Sequence, residues 1–216
     1  MPRISCHLVY NSYRFLREAV DSILAQNFAD FELILVAESI APFDYDHPKI
    51  RHLSGVGLFP CRNLAIDQSD SEFIAPMDAD DISYPNRFTK AIDRIGNNAW
   101  VGFGVQEVNE FGSLIRRIAA PRDGCSYHST VLMRRIAGYK YPTKYPVAGD
   151  VGLFFELRRS GHKTCNFGDV VGARRIHPGQ ISQARRAEQM RAFVAYSGAP
   201  FAVTTSGELI KIAKRG

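Results

Sequence analysis

Cysteine is scarce in this chain of 216 residues, and its arrangement excludes two kinds of site. The four cysteines, Cys6, Cys61, Cys125 and Cys165, are far apart and form no C-x-x-C pair. This spacing supports neither a structural zinc site nor a disulfide framework, and it is typical of a reducing compartment. The sequence also lacks the apolar core of a signal peptide and any stretch approaching a membrane span. We therefore expect a cytoplasmic protein.

Glycine-rich phosphate-binding motifs are missing too. No G-x-x-x-x-G-K-[ST] loop occurs, and Glu107 stands where a dinucleotide fingerprint beginning at Gly102 needs its third glycine. These absences argue against a P-loop and against a Rossmann NAD site. If a nucleotide binds, a metal ion and side chains have to hold its phosphates.

The composition is that of an ordinary globular protein with a basic surface. Hydrophobic residues make up 45% of the chain and charged residues 23%, and the length suits one α/β domain with a sizeable core. The formal net charge of +5 favours anionic partners such as nucleotide phosphates. Because the basic residues are dispersed and no aromatic-basic recognition motif appears, we expect no nucleic-acid partner.

Strand and helix patterns alternate through the first hundred residues. The runs at 31–37 and 73–77 are almost continuously apolar, which predicts buried strands of a parallel sheet covered by helices on both faces. In the second half, residues 100–108 and 114–118 predict an antiparallel hairpin that turns at Gly112. We therefore predict a single α/β domain with a mostly parallel central sheet flanked by helices, a small hairpin and a C-terminal helical extension.

The remaining elements of the second half are predicted from shorter patterns. Residues 163–167 and 170–176 predict two short strands, and residues 182–196 predict a basic helix.

Three carboxylates, Asp78, Asp80 and Asp81, directly follow the strand predicted at 73–77. The carboxyl ends of such strands are where α/β proteins bind ligands. In an extended backbone Asp78 and Asp80 project to one side, so one face can offer oxygens to a hard divalent cation. The structural alternative is that the aspartates only cap the next helix, which we expect to begin at Pro85.

Several motifs occur in a fixed order along the chain. They are Tyr10-Asn11 after the first strand, the strand at 31–36, Cys61-Arg62-Asn63, Asp78-Ala79-Asp80-Asp81, Ala148-Gly149-Asp150 and Arg175-Ile176-His177-Pro178-Gly179. Over most of residues 4–182 this order resembles the metal-dependent inverting family 2 glycosyltransferases, which have the glycosyltransferase A fold.

The resemblance implies roles for the residues that match the family's acidic motifs. Asp80, with Asp78 or Asp81, would bind Mn²⁺ or Mg²⁺ on the diphosphate of a nucleotide sugar, and His177 would approach the metal from the C-terminal side. Asp150 would be the general base that deprotonates an acceptor hydroxyl. The structural alternatives are a first-turn acid on the helix dipole for Asp150 and a turn histidine for His177.

The resemblance also implies a nucleotide-binding set of Tyr10, Glu38, Arg62 and Asp78. Glu38 would accept a hydrogen bond from base or ribose, Tyr10 would stack on a uracil ring, and Arg62 would face base or phosphate. Their structural alternatives are a solvated strand end, a core aromatic residue and a surface arginine.

Three positions depart from the family pattern. Ala37, Gly149 and Gly152 stand where the family commonly has acids, so the support around Asp150 is thinner than usual.

The predicted function follows from the resemblance. Residues 1–182 would form a transferase domain with a nucleotide-binding half (1–107) and an acceptor and catalytic half (108–182), and residues 183–216 a C-terminal extension. The enzyme would transfer a sugar, with inversion, from a UDP-linked donor to a hydroxyl of a saccharide or lipid-linked acceptor in cell-envelope polysaccharide biosynthesis. Two alternatives stay open, a metal-dependent nucleotidyltransferase and a catalytically silent module that binds a nucleotide sugar.

Two C-terminal segments, 183–191 and 209–215, mix cationic and apolar residues. They could make weak peripheral contact with the inner face of an anionic membrane. A solvated basic face is the interpretation we prefer, and the oligomeric state is not predicted.

Overall fold

The computed structural model describes residues 1–122, 124–198, 201–203 and 208–211. In the first half, one or two strands precede each helix. These elements are β1 (Ile4–Tyr10), α1 (Leu16–Leu24), β2 (Phe31–Glu38), β3 (Ile50–Gly55), α2 (Leu58–Asp67), β4 (Phe73–Asp78), β5 (Ile82–Ser83) and α3 (Arg87–Ile95).

The second half begins with two strands and continues with helices and longer connections. Its elements are β6 (Trp100–Asn109), β7 (Leu114–Ile118), a 3-10 turn (His128–Thr130), β8 (Leu132–Arg134), α4 (Gly149–Arg159), β9 (Thr164–Ile176), α5 (Ile181–Ala184), α6 (Arg186–Ser197), β10 (Phe201–Val203) and β11 (Leu209–Lys211).

One mixed sheet organises the described part of the chain. Its strand order is β3-β2-β1-β4-β8-β6-β9-β5, and β7 pairs with β6 outside this path. Strands β3, β2, β1 and β4 are parallel, β8 runs antiparallel to both of its neighbours, and β6 and β9 are parallel. The predicted α/β domain with a mostly parallel sheet is therefore confirmed.

The core lies between the parallel strands and their helices. Every residue of β1 is buried, and α1 turns Leu16, Ala19, Val20 and Ile23 towards the sheet at i, i+3, i+4 and i+7. Each large apolar side chain buried in this way contributes roughly 1.5–3 kcal/mol. Because β1, β2 and β4 are parallel neighbours, their carboxyl ends meet at one edge of the sheet.

Several predicted boundaries are wrong. The two strands expected at 163–167 and 170–176 form one strand, β9, because its parallel pairing with β6 continues through register shifts near Gly102 and Gly104. Helix α3 begins at Arg87, two residues after Pro85.

The C-terminal region also differs from the prediction. The basic helix expected at 182–196 divides into α5 and α6 at Arg185, whose ψ of 32° interrupts the helix. An antiparallel ladder of β10 and β11 follows, so the extension is not entirely helical. Of the basic tail, residues 212–215 lie outside the described residues. In the described ranges no helix combines the length and apolarity that crossing a membrane requires.

Candidate functional site

A cavity of about 880 Å³ opens at the edge where β1, β2 and β4 end. Its walls also include the loop after β7, the start of α4 and the segment after β9. The seven site residues predicted from the sequence all line it: Tyr10, Glu38, Arg62, Asp78, Asp80, Asp150 and His177. The fold thus brings together residues that are up to 167 positions apart in the chain.

The three aspartates of the acidic turn have different environments. Asp78 and Asp80 are partly exposed to the cavity, with 37% and 29% of their side chains accessible. Asp81 is buried and accepts hydrogen bonds from Ser129 Oγ at 2.6 Å and from the backbone N–H of Arg175 at 3.0 Å. Burial, reinforced by the negative charges of Asp80 and Asp78, raises the pKa of Asp81 well above its ordinary value. Asp81 therefore holds the turn together.

The helix-cap alternative for these aspartates is wrong. Helix α3 has Asn86 at its N-cap, with no side-chain hydrogen bond to the helix. The carboxylates are engaged elsewhere, so capping does not explain why this turn carries three acids.

Asp78 is paired with a buried arginine. Arg62 Nη2 lies 2.5 Å from Asp78 Oδ1, and only 4% of the Arg62 side chain is exposed, so the surface-arginine alternative is wrong. Desolvation of the Asp78 carboxylate opposes its ionisation, but His128 and Arg62 outweigh it and hold the pKa of Asp78 below its ordinary value. Nε and Nη1 of Arg62 have no hydrogen-bond partner among the described residues. Both nitrogens are also shielded from solvent, so they lie behind the cavity surface.

His128, which the sequence reasoning missed, closes this cluster from the other side. Its Nδ1 lies 3.7 Å from Asp78 Oδ1 and its Nε2 lies 2.9 Å from the Tyr141 hydroxyl. Burial lowers the pKa of His128, and the positive charge of Arg62 lowers it further, so the ring is neutral at pH 7. Asn63 fixes Tyr141 by exchanging two hydrogen bonds with its backbone, at 2.9 and 2.8 Å. The Arg62-Asn63 pair was the one available signal for this network.

Asp80 contacts His177 across the mouth of the cavity. His177 Nε2 lies 2.9 Å from Asp80 Oδ2, and the backbone N–H of Gly179 points at Nδ1 from 3.2 Å. Because a backbone N–H can only donate, Nδ1 is an acceptor, and the ring proton lies on Nε2 facing Asp80. Phe15 packs on the imidazole with ring centroids 5.0 Å apart. Both contacts hold the ring against the acidic turn.

These residues fit a divalent cation that is shared with a ligand. Among the described residues no group of three or more His, Cys, Asp or Glu side chains could hold a metal ion by itself. Mg²⁺ characteristically binds through one or two carboxylates and takes its other ligands from water and substrate phosphates. Asp80 meets that requirement, and His177 could join it through Nε2 once the ring proton has moved to Nδ1, which gives up the hydrogen bond from Gly179.

Arg175 connects the acidic turn to α1 and to the turn between β6 and β7. Its side chain is 3% exposed and donates to Glu18 Oε2 at 2.5 Å, to the carbonyl of Asp80 at 3.1 Å and to the carbonyl of Glu110 at 2.9 Å. The guanidinium also lies 4.4 Å from the centroid of the Phe15 ring. Arg175 therefore positions the backbone that carries Asp80. The sequence placed it in a motif but assigned it no role.

Asp150 stands in the first turn of α4 and faces the same cavity. The residue before the helix, Ala148, has a φ of 57°, a left-handed conformation that non-glycine residues rarely adopt. Such strain is usually found where the surrounding structure fixes a functional group. Ala148 and Asp150 both line the cavity, so this conformation occurs at its wall.

The three missing acids have packing explanations. A side chain at Gly149 would meet the ring of Phe59 at 2.7 Å, and one at Gly152 would meet Pro142 at 2.4 Å and Tyr196 at 2.9 Å. Ala37 is fully buried in β2. Apolar contacts therefore occupy the space of the missing carboxylates, and Asp150 is retained beside them.

The residues predicted to bind the base lie where β1 and β2 end. Glu38 accepts a hydrogen bond from Asn11 Nδ2 at 3.3 Å. Tyr10 is only 2% exposed, and its hydroxyl accepts a hydrogen bond from the backbone N–H of Phe43 at 2.6 Å. Tyr10 thus belongs to the floor of the cavity, and its stacking on a base stays a prediction.

Comparison with solved structures defines the class of fold. A crystal structure of S. aureus TarS 1–349 in complex with UDP-GlcNAc superposes with a TM-score of 0.67 at 16% sequence identity, covering 90% of this chain and 66% of that chain. The architecture is therefore that of the glycosyltransferase A fold.

Comparison of sequences then gives the family. The family model described as "Glycosyl transferase family 2" matches residues 8–162, and the chain belongs to this family of glycosyltransferases. It is 26% identical over 199 residues to the putative glycosyltransferase EpsE of Bacillus subtilis, covering 79% of this chain and 72% of EpsE. It is 27% identical over 150 residues to the O-antigen biosynthesis glycosyltransferase WbnJ of Escherichia coli, covering 59% of each. The predicted family is thus confirmed.

Proposed function

We propose that this glycosyltransferase moves a sugar from a UDP-linked donor to a hydroxyl of a saccharide or lipid-linked acceptor, with inversion at the anomeric carbon. One observation carries the proposal. The acidic turn and Asp150 face one cavity, and within the described part of the chain the Asp150 carboxylate has no hydrogen bond or ion pair. The TarS structure with UDP-GlcNAc supports a UDP-sugar donor, and the name of WbnJ supports a saccharide acceptor.

The donor nucleotide would occupy the end of the cavity formed by β1, β2 and α2. Arg62 has two nitrogens without a hydrogen-bond partner in the described part of the chain, and its charge is buried from water, where an ionic hydrogen bond is stronger than at the surface. Glu38 would accept a hydrogen bond from base or ribose, and Asp78 would hold Arg62 in place.

Asp80, with His177, would hold Mn²⁺ or Mg²⁺. When bound, such a cation neutralises charge that develops on a leaving diphosphate. Calorimetric titration with UDP, GDP and TDP, each with and without Mn²⁺, tests this assignment. We expect metal-dependent binding of UDP that is lost in Asp80→Ala. Asp70→Ala is the matched control, because 68% of the Asp70 side chain is exposed and Asp70 is not among the residues that line the cavity.

Asp150 would accept the proton of the acceptor hydroxyl as that oxygen attacks the anomeric carbon from the face opposite the leaving group. A free carboxylate is required, because one that was already ion-paired would be a weaker base. Proton transfer by a positioned group typically contributes roughly 10²–10⁴-fold to the rate.

The test of this role is the rate of UDP release. We expect Asp150→Asn to lower it by roughly 10²-fold or more while UDP affinity is unchanged. Glu156→Gln, on the exposed side of the same helix, should have wild-type activity. Turnover that is unchanged in Asp150→Asn would contradict the assignment.

The products separate the alternatives. Pyrophosphate instead of UDP would indicate a nucleotidyltransferase. Tight binding of a UDP-sugar whose sugar is transferred neither to an acceptor nor to water, so that no UDP is released, would indicate a binding module. The anomeric configuration of the product, read by NMR, tests inversion.

A further inference from the structure

The hairpin of β6 and β7 ends in an apolar tip that no other part of the described structure covers. Phe111 is 84% exposed, Leu114 56% and Ile115 53%. The first four residues of β7 are exposed on both faces of the strand. The hairpin therefore projects from the sheet with solvent on either side.

This tip is an ordered turn. The side-chain carbonyl of Asn109 accepts hydrogen bonds from the backbone N–H groups of Phe111 and Ser113, at 3.0 and 2.9 Å. Gly112 has a φ of +85°, which a turn of this kind requires. The exposed apolar groups are thus held in place, and their ordering costs little when a partner binds.

Arginines surround the hairpin directly behind its tip. We call these residues the collar. It contains four arginines and two glutamates and is therefore net positive: Arg14, Arg116, Arg117, Arg174, Glu107 and Glu110. Arg116 and Arg117 pair in register with Glu107 and Gln106, further from the turn than Leu114. Arg117 is exposed and has no ion-pair partner among the described residues. The order along the hairpin is therefore apolar tip first and basic collar second.

We propose that this hairpin tip docks into the surface of an anionic phospholipid bilayer. A bilayer surface has the matching order, with lipid phosphates outside and acyl chains beneath. Phe111, Leu114 and Ile115 enter the acyl boundary, and the collar meets the phosphates. A second copy of this chain fits less well, because it would bring the same net positive collars together.

Docking in this way brings the cavity close to the bilayer. Ile118 and Ala119, at and after the end of β7, line the cavity. The carbonyl of Glu110, in the collar, accepts a hydrogen bond from Arg175, which also donates to the carbonyl of Asp80. The hairpin and the acidic turn are thus joined by one side chain, and the cavity mouth lies beside the docked surface.

Vesicle co-sedimentation of the full chain, without donor or acceptor, tests the inference independently of catalysis. We expect binding to phosphatidylglycerol vesicles that weakens with salt, and little binding to phosphatidylcholine vesicles. Replacing the tip in a Phe111→Ser, Ile115→Ser double variant should lower partitioning by about tenfold or more. Arg117→Gln should weaken binding to the anionic vesicles alone. Val56→Ser is the matched control, because Val56 is 77% exposed but lies outside the hairpin.

Three results would overturn the inference. The first is no binding of the wild-type chain to the anionic vesicles. The second is wild-type binding by both the double variant and Arg117→Gln, with thermal melting showing that each is folded. The third is a wild-type dimer in light scattering that the double variant abolishes, because the tip would then be a contact between copies of the chain.

Discussion

A buried histidine at the centre of the sheet makes the fold sensitive to acid. His7 lies in β1 and is 1% exposed, and its Nε2 contacts Ser5 Oγ at 3.0 Å while Nδ1 has no partner in the described part. Burial lowers the pKa of His7 to about 3, with the positive charges of Arg62 and Arg51 adding to the effect. The folded protein therefore holds His7 neutral.

The sign and size of the effect follow from linkage. In the unfolded chain His7 takes up a proton near its ordinary pKa of about 6.5, whereas in the folded chain it does so only near pH 3. Between these values the unfolded state binds more protons, so stability falls as the pH falls. From pH 7 to pH 5 the free energy of unfolding should drop by about 2 kcal/mol on account of His7 alone.

Urea unfolding at pH 7 and pH 5, in the wild type and in His7→Gln, measures this contribution. Fluorescence of Trp100, the single tryptophan and fully buried, reports the transition. All other titrating groups are shared, so the wild type should lose about 2 kcal/mol more than the variant between the two pH values. Equal losses in the two proteins would refute the reasoning.

Two further predictions concern the residues that support the site. Ala148→Gly should change the free energy of unfolding by less than about 1 kcal/mol, because relief of the left-handed strain offsets the conformational entropy of glycine in the unfolded chain. Ala192→Gly, at a buried position inside α6, should lower the free energy of unfolding by about 1 kcal/mol or more. Tyr141→Phe should cost roughly 1–3 kcal/mol, because His128 loses its buried partner. Tyr139→Phe should cost less than about 0.5 kcal/mol, because the Tyr139 hydroxyl has no hydrogen bond to any residue that the structure describes. Urea unfolding at pH 7 checks both pairs, and an equal cost within a pair would contradict its explanation.

Much of the fold could be predicted because its signals are local. The strands at 31–37 and 73–77 are apolar throughout, and the Gly112 hairpin has turn chemistry between two apolar runs. The short strands β5 and β8 were missed because two or three residues carry no periodicity. Strand β5 forms only because it pairs with β9, and β8 only because it pairs with β4 and β6.

The residues of the site could be predicted from the sequence, but the individual structural role of each residue could not. The sequence places three carboxylates directly after a strand, and this pattern alone indicated that the turn binds a ligand. Asp81 is a structural residue only because Ser129 and Arg175, which are 48 and 94 positions away in the chain, donate hydrogen bonds to its carboxylate. Likewise, glycine is required at positions 149 and 152 only because Phe59, Pro142 and Tyr196 fill the space beside them.

The boundary between the two kinds of information is physical. Periodicity, turn residues and motif order depend on neighbours in the chain, so the sequence determined the α/β class, the acidic turn and the family. Burial, hydrogen-bond partners and exposure depend on which distant segments meet. Only the tertiary structure therefore decided that Arg62 is buried against Asp78 and that, within the described residues, Asp150 stays unpaired and Phe111 stays uncovered.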